Sequence, residues 1–278
     1  MPIGADKLLE LKKICREFRI EDIKILTEAG SGHPGGSLSA VEIVTTLYFH
    51  KMRHDPKRPD WPERDRFVIS KGHAVPILYI ALAKAGYFPK EQLMTLRKLE
   101  SPLQGHPDRV RCPGIEASTG ALGQGLSVAQ GMALASKLSG NKFRVYCMIG
   151  DGESQEGQIW EAAMSAPKFK LDNLTVFLDY NKGQIDGHVY EVMPIEPVRS
   201  KWEAFGWNVL DINGHDLNQI SDALDAAEKS KGKPTLIIAQ TIKGKGVSFM
   251  EDQVKWHGAT PSKEQAAEAI AELQAAPL

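Results

Sequence analysis

The sequence predicts an α/β fold, a mostly parallel sheet with helices on both faces. Two observations carry this. Short apolar runs of strand length alternate with longer stretches of helical periodicity. The run at 143–149 is apolar almost throughout, the mark of a strand buried on both faces. No internal repeat, low-complexity linker or break in composition divides the 278 residues, so they are read as a single domain, 1–278.

Residues 6–29 read as a helix: Leu8, Leu11, Cys15, Phe18, Ile25 and Leu26 recur at helical spacing, and Gly30 is the stop. Ser31 to Ser37 reads as a loop, and Ser39-Ala-Val-Glu42 as a capping box opening a helix to about Phe49. Arg66 to Ser70 is a strand, and Pro76 suits the first turn of the helix after it. Residues 89–98 read as helical and 101–120 as irregular. The next helix, 122–138, contains Gly123, Gly125 and Gly131. Each interior glycine costs about 1 kcal/mol against alanine, so this helix needs close approach by a ligand or another backbone. Strands follow at 143–149, 174–179, 207–212 and 235–240, with helices at 153–168, about 197–205 and 216–229. A loop and a terminal helix close the chain.

Composition narrows the function classes. Formal net charge is −1 and basic residues are dispersed, which argues against nucleic acid or an anionic membrane surface as partner. No apolar run approaches ~18 residues, and the amino terminus shows no signal-like core. The three cysteines form no C-x-x-C pair, so no disulfide framework or cysteine zinc site is expected. A cytoplasmic location is the expectation. His50 and His54 have the i, i+4 spacing of a zinc half-site but lack the acid that usually accompanies one, and their helix is ending there.

The informative stretch is Ile149-Gly-Asp-Gly-Glu153 at the end of an apolar strand. In an open parallel sheet, ligands gather at the carboxyl ends of strands. The glycines permit close backbone approach, and the amino end of the helix near Glu153 favours an anion. Yet a carboxylate ~4 Å from a phosphate charge costs about 4 kcal/mol at intermediate dielectric. A divalent cation between them reverses the sign, so the pattern suggests a metal-bridged diphosphate. Asp151 supplies one hard oxygen, the Asn181 amide at the next strand end a second, and a turn carbonyl such as that of Gly183 a third. Alone, Asp151 reads equally as a helix cap and Asn181 as a turn residue. A dinucleotide fingerprint fits badly, because the glycines run G-x-G-x-x-x-x-G with an acid between the first two.

Five of the eight histidines follow a glycine. His33, His73, His106 and His257 sit in tight loops and are candidates for donating to hydroxyls or phosphates and moving protons. His188 and His215 read as loop residues bonding the backbone.

These segments together resemble the transketolase family. Gly-Asp-Gly followed after about 30 residues by Asn is its thiamine diphosphate motif. Ser31-Gly-His-Pro-Gly-Gly, Ser70-Lys-Gly-His-Ala, Gly105-His-Pro, Ser118 to Gly125, Gly150 to Gly157, Asn181 to Gly187 and Trp256-His-Gly follow in the family's order. The resemblance implies the thiamine-diphosphate-binding fold and thiamine diphosphate with Mg2+ (or Ca2+, Mn2+). It implies Asp151, Asn181 and the Gly183 carbonyl as metal ligands. The Gly152 backbone, His73 and His257 would hold the diphosphate, and Gly120, Leu122 and Ile185 would line the cofactor. His33, His106 and His257 would act on the sugar as catalytic residues. Ala121 stands where proline is usual and Gly183 where a bulky apolar residue is common.

The resemblance also implies a partner. The family's pyrimidine-binding domain supplies the carboxylate that activates the cofactor, and no stretch here resembles that domain. The expectation is an N-terminal subunit, active only with a C-terminal transketolase subunit, two copies of each chain, and with Glu156 facing the partner's carboxylate as part of the catalytic set. Its reaction would move a two-carbon ketol unit from a ketose phosphate such as xylulose 5-phosphate to an aldose phosphate, in the pentose phosphate pathway. The alternatives are a related thiamine enzyme half with another sugar substrate and a noncatalytic cofactor-binding scaffold.

Overall fold

The computed structural model describes residues 3–278. Seven strands are β1 (Arg66–Ile69), β2 (Val145–Gly150), β3 (Leu174–Tyr180), β4 (Gly183–Gln184), β5 (Gly187–His188), β6 (Asn208–Asn213) and β7 (Thr235–Gln240). The main sheet has the order β1-β2-β3-β7-β6 with every pairing parallel; β4 and β5 form a separate antiparallel hairpin.

Ten α-helices surround it: α1 (Ala5–Ala29), α2 (Pro34–Leu38), α3 (Val41–Thr46), α4 (Val75–Ala85), α5 (Gln124–Leu138), α6 (Gly157–Lys168), α7 (Val189–Val192), α8 (Val198–Ala204), α9 (Leu217–Lys229) and α10 (Lys263–Ala275). Alternate residues of a strand face opposite sides of a sheet. Tyr146 and Met148 of β2 accordingly join a core with α1, α3, α4 and α9. Val145, Cys147 and Ile149 join a second core with α5, α6 and α8. Both faces of β2 are dry, hence its unbroken apolar sequence. A third cluster seats α10 against α1 and the segment around Met250. All three cysteines are buried and free. No helix among the described residues is long and apolar enough to cross a membrane.

Several boundaries differ from the sequence reading. Residues 34–38 form α2 rather than loop, because Pro34 pre-sets the first helical turn. There is no capping box at Ser39: its hydroxyl donates to Asp179 Oδ2 at 2.6 Å and to Gly36 O at 3.1 Å, and Glu42 pairs with Arg19. The helix begun by α3 ends in a π turn, Leu47–Lys51. The segment at 89–98 contains a 3₁₀ helix, Lys90–Thr95. Helix α5 starts at Gln124 after a left-handed Gly123. Its Gly125 does meet another backbone: a Cβ there would lie 2.6 Å from Ser70 Cα. Gly131 meets nothing within 4 Å.

Candidate functional site

Strands β2 and β3 are adjacent and in register, with Gly150 opposite Asp179. Asp151 and Asn181 therefore leave neighbouring strand ends at the same edge of the sheet, where the sequence reading places them. Both are buried. They line a cavity of about 340 Å³ together with His33, His73, His106, His257, Lys71 and Lys243. Gly120, Leu122, Gly152, Glu156, Gly183 and Ile185 line it too, so every candidate residue meets in one place.

Both carboxylate oxygens of Asp151 are held by backbone: Gly152 N–H donates to Oδ1 at 2.8 Å, and Lys182 N–H to Oδ2. The Asn181 amide is oriented by its partners, Nδ2 donating to Asp179 Oδ2 at 3.0 Å and Oδ1 accepting from Gly183 N–H at 3.1 Å. Asp179 anchors this layer. It accepts from Ser39, Thr241 and the Lys71 ammonium, and Lys71 also reaches Gly36 O at 2.8 Å. Burial alone would raise the Asp179 carboxyl, yet the adjoining Lys71 holds it below its ordinary value.

Asp151 lacks such a cation in contact. Burial, reinforced by the Asp179 charge, pushes its carboxyl up to about 7. Lys243 is the compensating charge in the cavity; burial drives its ammonium down to about 8 although Asp151 opposes this. Its Nζ donates to Gly183 O at 3.0 Å.

Three of the histidines form a triangle, with ring centroids 5.1 Å apart for His33 and His73, 5.0 Å for His73 and His257, and 5.6 Å for His33 and His257. His106 packs beside Gly120. Burial pushes His33 down to about 4 and His257 to about 3, and moves His73 and His106 the same way. Nearby cations add to this: Arg97 for His33 and His106, Lys71 for His73, and Lys243 for His257. The shifts favour the neutral imidazole, in which one ring nitrogen donates a hydrogen bond and the other accepts one.

Two expectations fail in detail, the helix start after Asp151 and the backbone bond of His188. The Gly152 N–H donates to Asp151 Oδ1 within the turn. The segment after Asp151 is a 3₁₀ turn, Glu153–Gln155, with extended backbone at Glu156 before α6 begins. The cause is Glu153, whose buried carboxylate turns back to accept from Gly150 N–H, Gly123 N–H and the Ser70 hydroxyl. His50 and His54, whose zinc-like spacing lacked its acid, have separate partners: His50 bonds Ser221, while both nitrogens of His54 are taken by Tyr48 O and the Tyr87 hydroxyl. His215 bonds backbone as read, accepting from Ile242 N–H at 2.9 Å. His188 does not; its ring stacks on Tyr190 at 5.1 Å.

Lys243 and Asp179 are the residues the sequence reading missed. Asp179 stands two positions before Asn181, and Lys243 follows the last strand in a Lys-Gly-Lys-Gly turn, the same strand-end location that drew notice to Asp151.

The donor set fits a hard divalent cation and an anionic cofactor. The oxygens of Asp151, Asn181 and Gly183 each accept one hydrogen bond and retain a lone pair. The raised Asp151 carboxyl marks a buried charge short of a positive partner. In the cavity wall, His33 Nδ1 and His257 Nδ1 are buried without a hydrogen-bond partner, which calls for a polar ligand. Among the described residues no three His, Cys, Asp or Glu side chains cluster as a metal site. The proposed set contains one such side chain, its other two ligands being an amide and a carbonyl.

Comparison with known proteins agrees with this geometry. Residues 11–277 match the family described as transketolase, thiamine diphosphate binding domain. A 6-deoxy-6-sulfo-D-fructose transketolase subunit from Clostridium sp. (strain MSTE9) is 49% identical over 261 residues, 94% of each chain. An apulose-4-phosphate transketolase subunit from Phocaeicola vulgatus is 46% identical, over 95% of this chain and 93% of that one. The crystal structure of transketolase from Campylobacter jejuni superposes with a TM-score of 0.91 at 39% identity, over 95% of this chain and 42% of that one. The chain thus spans nearly the whole of the two subunits and less than half of that transketolase, and it belongs to the transketolase thiamine diphosphate-binding domain family.

Proposed function

We propose that this chain is the cofactor-binding subunit of a two-chain transketolase, moving a two-carbon ketol unit from a ketose phosphate such as xylulose 5-phosphate to an aldose phosphate. The observation that carries the reading is the meeting of Asp151, Asn181 and four neutral histidines in one cavity at the β2 and β3 strand ends. Asp151, Asn181 Oδ1 and the Gly183 carbonyl would hold Mg2+ (or Ca2+, Mn2+). His73, His257 and Lys243 would face the diphosphate, and Gly120, Leu122 and Ile185 would flank the rings. Bound thiamine diphosphate supplies a nucleophilic carbon and an electron sink for carbon–carbon cleavage.

The chain's own part is binding and proton management. Beside an anionic cofactor the rings would gain basicity, so that His33, His106 and His257 would take a proton from a sugar hydroxyl and return one to a developing alkoxide. Glu156 is exposed at its rim and makes no side-chain hydrogen bond among the described residues, consistent with a partner across it. Leu138 of α5 is 79% exposed and Met164 of α6 62%, apolar side chains that a C-terminal subunit carrying the pyrimidine-binding domain would cover. Two copies of each chain, a cytoplasmic location and a place in the pentose phosphate pathway belong to this reading.

A second reading is favoured by the relatives' names. The sulfofructose and apulose-phosphate transketolase subunits are 49% and 46% identical, and under this reading the sugar would be one of that specialised kind. The test is ketol transfer by this chain with its partner, using xylulose 5-phosphate, a sulfosugar and apulose 4-phosphate as donors. Transfer by this chain alone would contradict the two-chain site. Tight cofactor binding without transfer from any donor, partner included, would leave the noncatalytic scaffold. Calorimetry should show that chelation releases the cofactor and that Asp151→Ala prevents its binding.

A further inference from the structure

A second cavity, of about 560 Å³, lies past the carboxyl end of β6. Its volume falls within the range of about 300–1,000 Å³ typical of small-molecule sites. It is joined to the first by the segment after β7: Lys243 lines one cavity, Lys245 and Gly246 the other.

Four cations, Lys12, Arg16, Arg19 and Lys245, meet two acids there, Glu42 and Asp216. Both acids are occupied. Glu42 accepts from Arg19 at 2.6 Å and from His215 Nδ1 at 2.9 Å. His215 Nε2 accepts from the Ile242 N–H, so Nδ1 must carry the ring proton, and the pair is fixed. Asp216 caps α9 by accepting from the N–H groups of Asn218 and Gln219. Lys245 pairs with Glu251 at 3.0 Å, and Arg19 is held by Glu42 and the Lys245 carbonyl.

Two cations remain. Lys12 and Arg16 have no carboxylate partner among the described residues; Arg16 donates only to the Ala276 carbonyl. With Arg19 they stand at i, i+4 and i+7 on one face of α1, where like charges repel. Leu8, Leu217 and Leu273 supply apolar wall beside them.

We propose that this cavity is a second ligand site, for a small organic anion whose charged end meets Lys12 and Arg16 and whose apolar part lies against Leu8, Leu217 and Leu273. Carboxylates and phosphate esters share this chemistry. The site is independent of the reading of the first cavity.

The test is calorimetric titration of the full chain, preloaded with thiamine diphosphate and magnesium, with phenyl phosphate, benzoate and neutral benzyl alcohol. The expected result is saturable binding of at least one anion with Kd near or below about 1 mM. The neutral analogue should give none, and Lys12→Met with Arg16→Met should weaken the anion about tenfold or more. Lys12→Met alone should weaken it about threefold; as Lys12 is exposed, this variant serves if the double variant melts early. No saturable anion binding, equal binding by the alcohol, or unchanged affinity in the variants overturns the proposal. If the chain refuses the cofactor, the same titration on the free chain still decides, because the variants identify the site.

Discussion

Lys243 donates its ammonium to the carbonyl oxygen of Gly183 at 3.0 Å, the same oxygen that would complete the cation's ligand set. The lysine is thus the compensating positive charge near Asp151 in the free chain, and it would be free to face a diphosphate if a metal were held by that carbonyl. Lys243→Met should weaken thiamine diphosphate binding by about tenfold or more, the worth of a charge-assisted hydrogen bond. The free chain should melt earlier than wild type, because the change leaves the buried Asp151 carboxylate without its compensating charge. Calorimetry and thermal melts check the two halves separately.

Asp179 holds four donors from four segments: Ser39, Lys71, Asn181 and Thr241. Asp179→Ala strands the buried Lys71 ammonium and should cost about 3–5 kcal/mol of folding stability. Adding Lys71→Met should recover part of that loss. Denaturant titrations of the single and double variants read this out; equal stability of the two would contradict it.

Acid should weaken cofactor binding. A proton and the metal compete for Asp151, whose carboxyl is raised from 3.8 to about 7 in the free chain. Above that value the carboxylate is already ionised and affinity is level; below it, affinity declines. Between pH 7 and pH 6 the drop should be about fivefold. The sign for folding is opposite: a raised carboxyl favours the free folded chain at low pH and loses that contribution as pH rises from about 4 to about 7. Calorimetry across pH 6–8 measures the first effect, and melts of the free chain measure the second.

Glycines of α5 should separate by position. Gly131→Ala meets open space and should stabilise the free chain by up to about 1 kcal/mol. If the partner packs on this face, the same variant weakens assembly. Gly125→Ala drives a methyl into the Ser70 backbone and should destabilise the chain by about 1–3 kcal/mol. Chemical denaturation with and without the partner checks both.

Strands β2, β3 and β7 were legible because burial on both faces writes a nearly continuous apolar run, and the end of β2 was legible because Gly-Asp-Gly interrupts one. Asp151 and Asn181 could thus be placed side by side from the sequence. What failed was local and arose from tertiary competition. Ser39 and Glu42 have capping-box spacing, but a buried Asp179 and a buried Arg19 claim their side chains. Glu153 resembles an ordinary first-turn acid, yet it is drawn back to three donors and breaks the helix. Lys243 was hidden because its role depends on β7 lying next to β3, a pairing between segments about 60 residues apart that no local pattern encodes.

The sheet stops at β6, and the manner of its stopping matters outside catalysis. An open parallel edge is a template for the strand of any passing chain. At this edge, one of two, β6 carries Asn208, Asp211 and Asn213, the last two exposed. A foreign strand adding to it would have to dehydrate an aspartate and two amides. That chemistry guards the molecule against fibrous accretion while it is crowded and freshly synthesised.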